Sequence, residues 1–395
     1  MNPDIVQGAA AQRGVTAPAG FRAAGAAAGL KASGGPDVAL VVNDGPSRQA
    51  AAVFTSNRVA AAPVHWSRQV VSDGRVDAVI LNSGGANACT GAEGFGNTHT
   101  TAEKTAEALG VSATDVFVCS TGLIGEQLPM EKLLPGVDAA AAGLDDDGGA
   151  AAADAIRTTD SVPKESIAVE AGYSIGGMAK GAGMLAPGLA TMLVVLTTDA
   201  ELSSDDLDAA LREATRVTFD RTDADGCMST NDTVVLLSSG ASSVAPDSGA
   251  FTRALTGVCH DLAQQLITDA EGASHDIAIT TVNAASEEDA ETVGRAVARS
   301  NLFKTAIFGQ DPNWGRVLSA VGTTDAVFTA DELNVSINSV QICRNGGIGD
   351  SREAVDLSGR KVTVEIDLNA GNQTATIWTN DLTHEYVHEN SAYSS

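Results

Sequence analysis

The stretch of this 395-residue chain most able to do chemistry runs Gly176-Gly177-Met178-Ala179-Lys180-Gly181-Ala182-Gly183-Met184-Leu185-Ala186-Pro187-Gly188-Leu189-Ala190-Thr191-Met192-Leu193. Glycines crowded around one lysine permit positive φ and close backbone approach, so Lys180 can be presented to an anion. As a phosphate loop the segment is a weak match, because no Gly-Lys-Ser/Thr precedes a helix. Taken by itself it also reads as a plain loop leading into a strand. Thr191 opens the apolar run Met192–Leu196. A threonine hydroxyl is a weak nucleophile and needs a base. Were the Ala190–Thr191 bond cut, the new α-amine, with a reference pKa of about 7.7–8.0, would stand beside that hydroxyl as its base.

A second candidate is Val118-Cys119-Ser120-Thr121-Gly122-Leu123-Ile124-Gly125, a strand end followed by small polar residues and glycines. Backbone N–H groups and a hydroxyl at such an end can face a developing oxyanion, although a simple turn has the same composition. Cys119 has no histidine near it in sequence and reads as a small buried hydrophobe. His384-Glu385-Tyr386-Val387-His388 matches the H-E-x-x-H pattern of zinc proteases. Only seven residues follow it and no apolar helical run surrounds it, so no metal site is expected there. Asp223, Asp225, Asn231 and Asp232 lack the spacing of a calcium loop and read as a polar loop near the active site. Asp311–Arg316 reads as packing around Trp314, with a supporting role in the site as the minor alternative.

These residues need elements to hold them. Val38–Val42, Val53–Thr55, Asp77–Leu81, Val116–Cys119 and Thr233–Leu237 read as buried strands closed by turn residues. Leu333–Ile337, Val362–Leu368 and Ala375–Trp378 read as later ones. Helices are expected over Ala102–Leu109, ended by Gly110, over a segment capped at Ser204-Asp205-Asp206, and over Phe251–Leu266. Ala139–Ala153, around three aspartates, reads as a solvated loop, and Pro246–Ala250 as a turn. Interleaving of this kind predicts an α/β or α+β layered enzyme.

Composition narrows the classes further. Fifty acidic residues against 24 basic ones give a formal charge of −26, which repels phosphate backbones and anionic membranes. No nucleic-acid or membrane partner is therefore expected. Apolar residues make up 44% of the chain, enough for a core, but aromatics are only 4% against 41 glycines, so packing must rely on small side chains. Five widely spaced cysteines argue against a disulfide framework and fit a reducing compartment. No secretory signal or membrane-length apolar run is seen, and a cytoplasmic protein is expected.

The block Lys180–Met184 with Leu189–Leu193 resembles the self-cleaving signature of the ornithine acetyltransferases (glutamate N-acetyltransferases) of arginine biosynthesis. Other blocks follow in that family's order: Gly29-Leu30-Lys31, Asp37–Pro46, Asn82–Gly91, Thr158-Thr159-Asp160, Asp269–Gly272, Asp311–Arg316 and Asn390–Ser395. Gly85 stands where asparagine is commoner and Ser161 where threonine is commoner.

The resemblance implies a layered αββα sandwich with a smaller carboxy-terminal α/β domain from about residue 280. It also implies cleavage between Ala190 and Thr191 into chains 1–190 and 191–395, interlocked through one core and assembled as two of each. Thr191 is then the nucleophile, Thr121 and Gly122 form the oxyanion hole, and Thr158, Lys180, Thr191, Glu271, Asn390 and Ser395 contact substrate. The implied reaction is ping-pong, from N2-acetylornithine to glutamate. It needs no metal or prosthetic group, with acetyl-CoA as a possible further donor. A self-processing aminopeptidase of the same fold, passing the acyl group to water, is the rival reading.

Overall fold

The computed structural model describes residue 5, residues 13–184 and residues 192–392. They form two compact units. The first holds the described residues up to 182, 192–220 and 228–266, and the second holds 183–184, 221–227 and 267–392.

In the first unit the strands are β1 (Phe21–Ala26), β2 (Val38–Asn43), β3 (Gln49–Phe54), β4 (Ala78–Ser83), β5 (Val116–Thr121), β6 (Lys164–Glu170), β7 (Tyr173–Lys180), β8 (Leu193–Thr198) and β9 (Thr233–Ser238). The helices are α1 (Ala62–Val70), α2 (Gly91–Leu109), α3 (Met130–Ala142), α4 (Gly149–Ala155), α5 (Ser204–Arg216) and α6 (Ser248–Thr268). One sheet has the order β1-β2-β4-β5, the other β3-β9-β8-β7-β6. In these two sheets, among the described residues, β4/β5 and β8/β9 pair in parallel and the other pairs are antiparallel.

Every residue of β2, β4, β5, β8 and β9 is buried, which is why these strands read as unbroken apolar runs. The period of two decides where each side chain goes. Ala39, Val41, Val79, Leu81, Phe117 and Cys119 point inward to meet Ala50, Met178, Leu193, Val195, Val235 and Leu237 of the other sheet. Val38, Leu40, Val42, Ile80, Val116 and Val118 point outward onto Leu133 and Val137 of α3 and Ala102 of α2. Behind the second sheet, Leu262 and Val258 of α6 stand close enough to β7 that a β-carbon on Gly177 would touch both. The unit is therefore an αββα sandwich. Small residues make its layers fit: a β-carbon on Gly25 of β1 would collide with the Ala151 carbonyl of α4.

The exposed edge of β5 is covered by α1, whose Trp66 Nε1 donates to Val116 O at 3.0 Å and Ser67 Oγ to Val118 O at 2.7 Å. α2 ends at Gly110 (φ 71°), whose N–H returns to Ala106 O. α5 is capped by Ser203, one residue before the expected cap, through the Asp206 N–H. Ala139–Ala153 is a correction: helices α3 and α4 occupy most of it, and only the acidic run between them is a loop. Alanine is the best helix former, and Ala140, Ala152 and Ala153 are fully buried. Pro246–Ala250 is likewise only partly a turn, since α6 begins at Ser248.

The second unit carries β10 (Asp276–Ala284), β11 (Asn334–Ile337), β12 (Val340–Arg344), β13 (Gly347–Ile348), β14 (Lys361–Asp367) and β15 (Gln373–Asn380), in the order β13-β12-β11-β14-β10-β15. Its helices are α7 (Glu287–Ala298), α8 (Asn301–Phe308), α9 (Trp314–Val321) and α10 (His384–Ala392). β14 alternates exposed and buried, so the sheet is covered on one face. Val362, Val364 and Ile366 pack there with Val293 and Val297 of α7, Phe303 of α8 and Val317 of α9. Asn313 caps α9 through the Arg316 N–H, and Trp314 packs on this core, which fits the structural reading of Asp311–Arg316.

Candidate active site

The two sheets of the first unit meet at the ends of β5 and β7. Thr121 closes β5, and Lys180 closes β7 opposite Leu193, the first residue of β8. Lys180 Nζ donates to Thr121 Oγ1 at 3.2 Å and to Thr158 Oγ1 at 2.7 Å. Thr121 and Lys180 are each 1% exposed, and Thr158 is half-buried. The structure thus brings Thr121, Thr158 and Lys180 together.

Backbone geometry sets the β5 end. The Thr121 carbonyl accepts the N–H groups of Gly84 and Gly85, both at 3.0 Å. Gly122 then turns with φ +131°, where a β-carbon would lie 2.5 Å from Gly85 N, so only glycine fits. The Gly122 N–H has no partner among the described residues. Asn231 Nδ2 clamps the same end by donating to Ser120 O at 2.8 Å and Ala86 O at 2.6 Å.

Asp160 and Lys164 carry roles that sequence reasoning missed. Asp160 Oδ1 accepts Lys164 Nζ at 2.7 Å and Gly181 N at 2.6 Å, while Oδ2 accepts Thr158 N at 3.0 Å and faces Lys180 Nζ at 3.9 Å. Burial pushes the Asp160 carboxyl up, but the ammoniums of Lys180 and Lys164 outweigh it and hold the group down at about 2. The available signal was a lysine four residues after Thr158-Thr159-Asp160, which pattern alone does not mark as buried.

Asp232 precedes β9. Its Oδ1 accepts Met192 N at 3.0 Å, and its buried Oδ2 has no partner among the described residues. Burial raises this carboxyl well above the usual carboxylate range. Cys119 is buried and its thiol is pushed up by burial, as expected for a packing residue.

In the second unit Asn390 Nδ2 of α10 donates to Glu271 Oε2 at 3.0 Å, so these two predicted site residues also meet. Glu271 packs so closely on Gly183 that a β-carbon there would lie 2.6 Å from Oε2. Asp225 Oδ2 accepts Met184 N at 2.6 Å. Ala190, Thr191 and Ser395 lie outside the described residues.

Two constellations resemble catalytic sets without their wiring. Ser274, His275 and Asp381 cluster, but His275 Nδ1 faces Asp381 Oδ2 at 2.7 Å and Nε2 faces Leu357 O at 3.1 Å. His275 Nδ1 also lies 3.0 Å from Ser274 Oγ, but the serine hydroxyl already donates to Asp381 Oδ2. Serine, histidine and carboxylate thus form a closed triangle rather than the serine–histidine–aspartate relay of a catalytic triad. His384 and His388 lie one turn apart on α10, which buries none of its residues. Among the described residues no three His, Cys, Asp or Glu side chains converge to hold a metal, and no helix is long and apolar enough to cross a membrane.

Comparison with known proteins follows the same lines. The ArgJ family profile matches residues 22–395. The arginine biosynthesis bifunctional protein ArgJ of Streptomyces coelicolor is 66% identical, covering 96% of this chain and all of that protein. Its namesake in Thermobifida fusca is also 66% identical with the same coverage. A crystal structure of ornithine acetyltransferase complexed with ornithine, from Mycobacterium tuberculosis, is 55% identical, covering 47% of this chain and 98% of that one, with a TM-score of 0.44. With a family match over nearly its whole length and relatives at two-thirds identity, this chain belongs to the ArgJ family.

Proposed function

We propose that this protein is a self-cleaving acetyltransferase that moves the acetyl group of N2-acetylornithine to glutamate. The observation that carries the reading is the cluster at the ends of β5 and β7. There the buried Thr121 hydroxyl meets the buried Lys180 ammonium beside Gly122, whose N–H has no partner among the described residues. Acyl transfer needs such donors where negative charge develops. The arginine-biosynthesis names borne by the relatives support amino-acid substrates.

Cleavage at Ala190–Thr191 frees the Thr191 α-amine, which takes the hydroxyl proton as Oγ attacks the acetyl carbonyl. The Thr121 hydroxyl and the Gly122 N–H hold the oxyanion. Collapse expels ornithine, whose nitrogen takes the proton back, and leaves acetyl-Thr191. The glutamate amine then attacks this ester, loses its proton to the same base and departs as N-acetylglutamate, restoring the threonine. Thr158, Lys180, Asn390 and Ser395 contact the amino acids, and Glu271 receives the ornithine ammonium. Neither a metal nor a prosthetic group enters these steps, and acetyl-CoA is a second donor to be tried. The active form contains two copies each of 1–190 and 191–395 and works in the cytoplasm.

A denaturing gel with intact-mass analysis tests the first step: two fragments ending at Ala190 and beginning at Thr191 are expected, and one full-length band from Thr191→Ala. A Thr191→Ala chain that still splits at that bond overturns the mechanism.

A further inference from the structure

Lys180 touches two hydroxyls, and the direction of those hydrogen bonds has a chemical result. An ammonium has only protons to give, so Thr121 Oγ1 and Thr158 Oγ1 are acceptors at 3.2 Å and 2.7 Å. A hydroxyl whose lone pair is taken by a charged donor keeps its own proton for a different acceptor, and the charge makes that proton a stronger donor. The Thr121 O–H is therefore turned away from Lys180, at the same strand end as the Gly122 N–H.

The place of the ammonium is fixed by one carboxylate. Asp160 binds the backbone next to Lys180 and that of its companion Thr158, through Gly181 N at 2.6 Å and Thr158 N at 3.0 Å, and stands 3.9 Å from Nζ. Lys164, fully buried, shares that carboxylate at 2.7 Å.

We propose that Lys180, in addition to meeting substrate, polarises and aims the Thr121 hydroxyl as an oxyanion donor. Asp160 is the positioning residue that sets the place and charge of Lys180. This rests on the acyl-transfer reading above.

Among the described residues, Asp160 from the loop before β6 and Asp232 before β9 act on Lys180, and Lys164 at the start of β6 shares Asp160 with it. Lys31 from the loop after β1 acts on Asp160. Asp160→Asn removes the nearest carboxylate and leaves Lys164 as a like charge, so the Lys180 ammonium should lose its proton at lower pH. Lys164→Met removes the competitor and should have the opposite effect.

The experiment is a set of pH–rate profiles for self-cleaved wild type, Asp160→Asn and Lys164→Met. Each is taken with N2-acetylornithine plus glutamate and with p-nitrophenyl acetate, an ester that reports oxyanion stabilisation whatever the natural donor. The alkaline limb should move to lower pH by about one unit in Asp160→Asn and upward in Lys164→Met. Thr121→Val should slow the wild type by about 10²–10³-fold, and adding Asp160→Asn to it should cost less than about threefold more. Unmoved limbs with fully additive losses overturn the proposal and make Asp160 a folding residue. If Asp160→Asn does not fold, Lys164→Met paired with Thr121→Val gives the same test. A wild type active only on the ester removes the amino-acid substrates but leaves this test intact. One inert to both donors overturns the acyl-transfer reading and this proposal with it.

Discussion

Asp232 Oδ1 receives the Met192 N–H at 3.0 Å, so the second residue after the proposed Ala190–Thr191 cleavage bond is tied to a buried carboxyl just before β9. Losing the acceptor would leave a buried N–H unpaired, at about 1–3 kcal/mol. Asp232→Asn keeps an acceptor and should still cleave. Asp232→Leu should accumulate the full-length precursor on a denaturing gel while retaining a cooperative thermal transition. Equal cleavage in both variants would show that this bond does not prepare the chain for scission.

Steady-state kinetics separate a covalent path from a ternary one. With N2-acetylornithine varied at several fixed glutamate concentrations, double-reciprocal lines should be parallel, as an acetyl-enzyme requires. Intersecting lines would remove the nucleophile role from Thr191.

The carboxy-terminal segment gives a third expectation. Asn390 already bonds Glu271 through its side chain. Deleting residues 391–395 removes Ser395 and the end of α10, and should raise KM for acetylornithine or glutamate about ten- to a hundredfold. Cleavage at residue 191 should be untouched. Normal kinetics after truncation would take Ser395 out of the site.

Acid stability should expose the Asp160 carboxylate. Its folded value of about 2 lies below the ordinary 3.8, so between them the unfolded chain binds the proton and the folded one does not. The stabilisation, about 2 kcal/mol, is present above pH 4 and fades as pH falls toward 2. Denaturant titrations at stepped acidic pH should show this slope in wild type and a flatter one in Asp160→Asn.

Glu165 works in the opposite sense. Burial raises its carboxyl to about 7, and Oε1 has no partner among the described residues. A raised acid favours the folded state while protonated, so this contribution is lost as pH climbs from about 4.5 through 7. Glu165→Gln should raise Tm at pH 8 and change it little at pH 5. An equal change at both would assign the effect to packing.

Sequence shows strands where both faces are apolar and hides them where they are not. β2, β4, β5 and β9 are legible because apolar side chains run unbroken through most of each strand. β6 and β7 carry Lys, Glu and glycines and pass as loop. α1 is masked by Pro63, which is tolerated only because it falls in the first turn. The same limit holds for the site. Lys180, Thr121 and Thr158 are types that chemistry singles out, but Thr121 and Lys180 are 59 positions apart. Stacking of the two sheets brings Thr121 to Lys180, while Asp160 and Lys164 join Lys180 through the antiparallel pairing of β6 with β7, which sets Lys164 opposite Ala179.

The order β3-β9-β8-β7-β6 has a consequence for a chain opened at residue 191. The two central strands, β8 and β9, come after that point, and their neighbours on either side, β3 and β7, come before it. Parting the pieces would strip two full ladders of hydrogen bonds and tear open the interior, so dissociation is unfolding. Such an enzyme should keep its specific activity on extreme dilution, and its two pieces should melt as a single transition. Once denatured, they would meet again only by a bimolecular encounter, so recovery from heat should depend on protein concentration although the working enzyme does not.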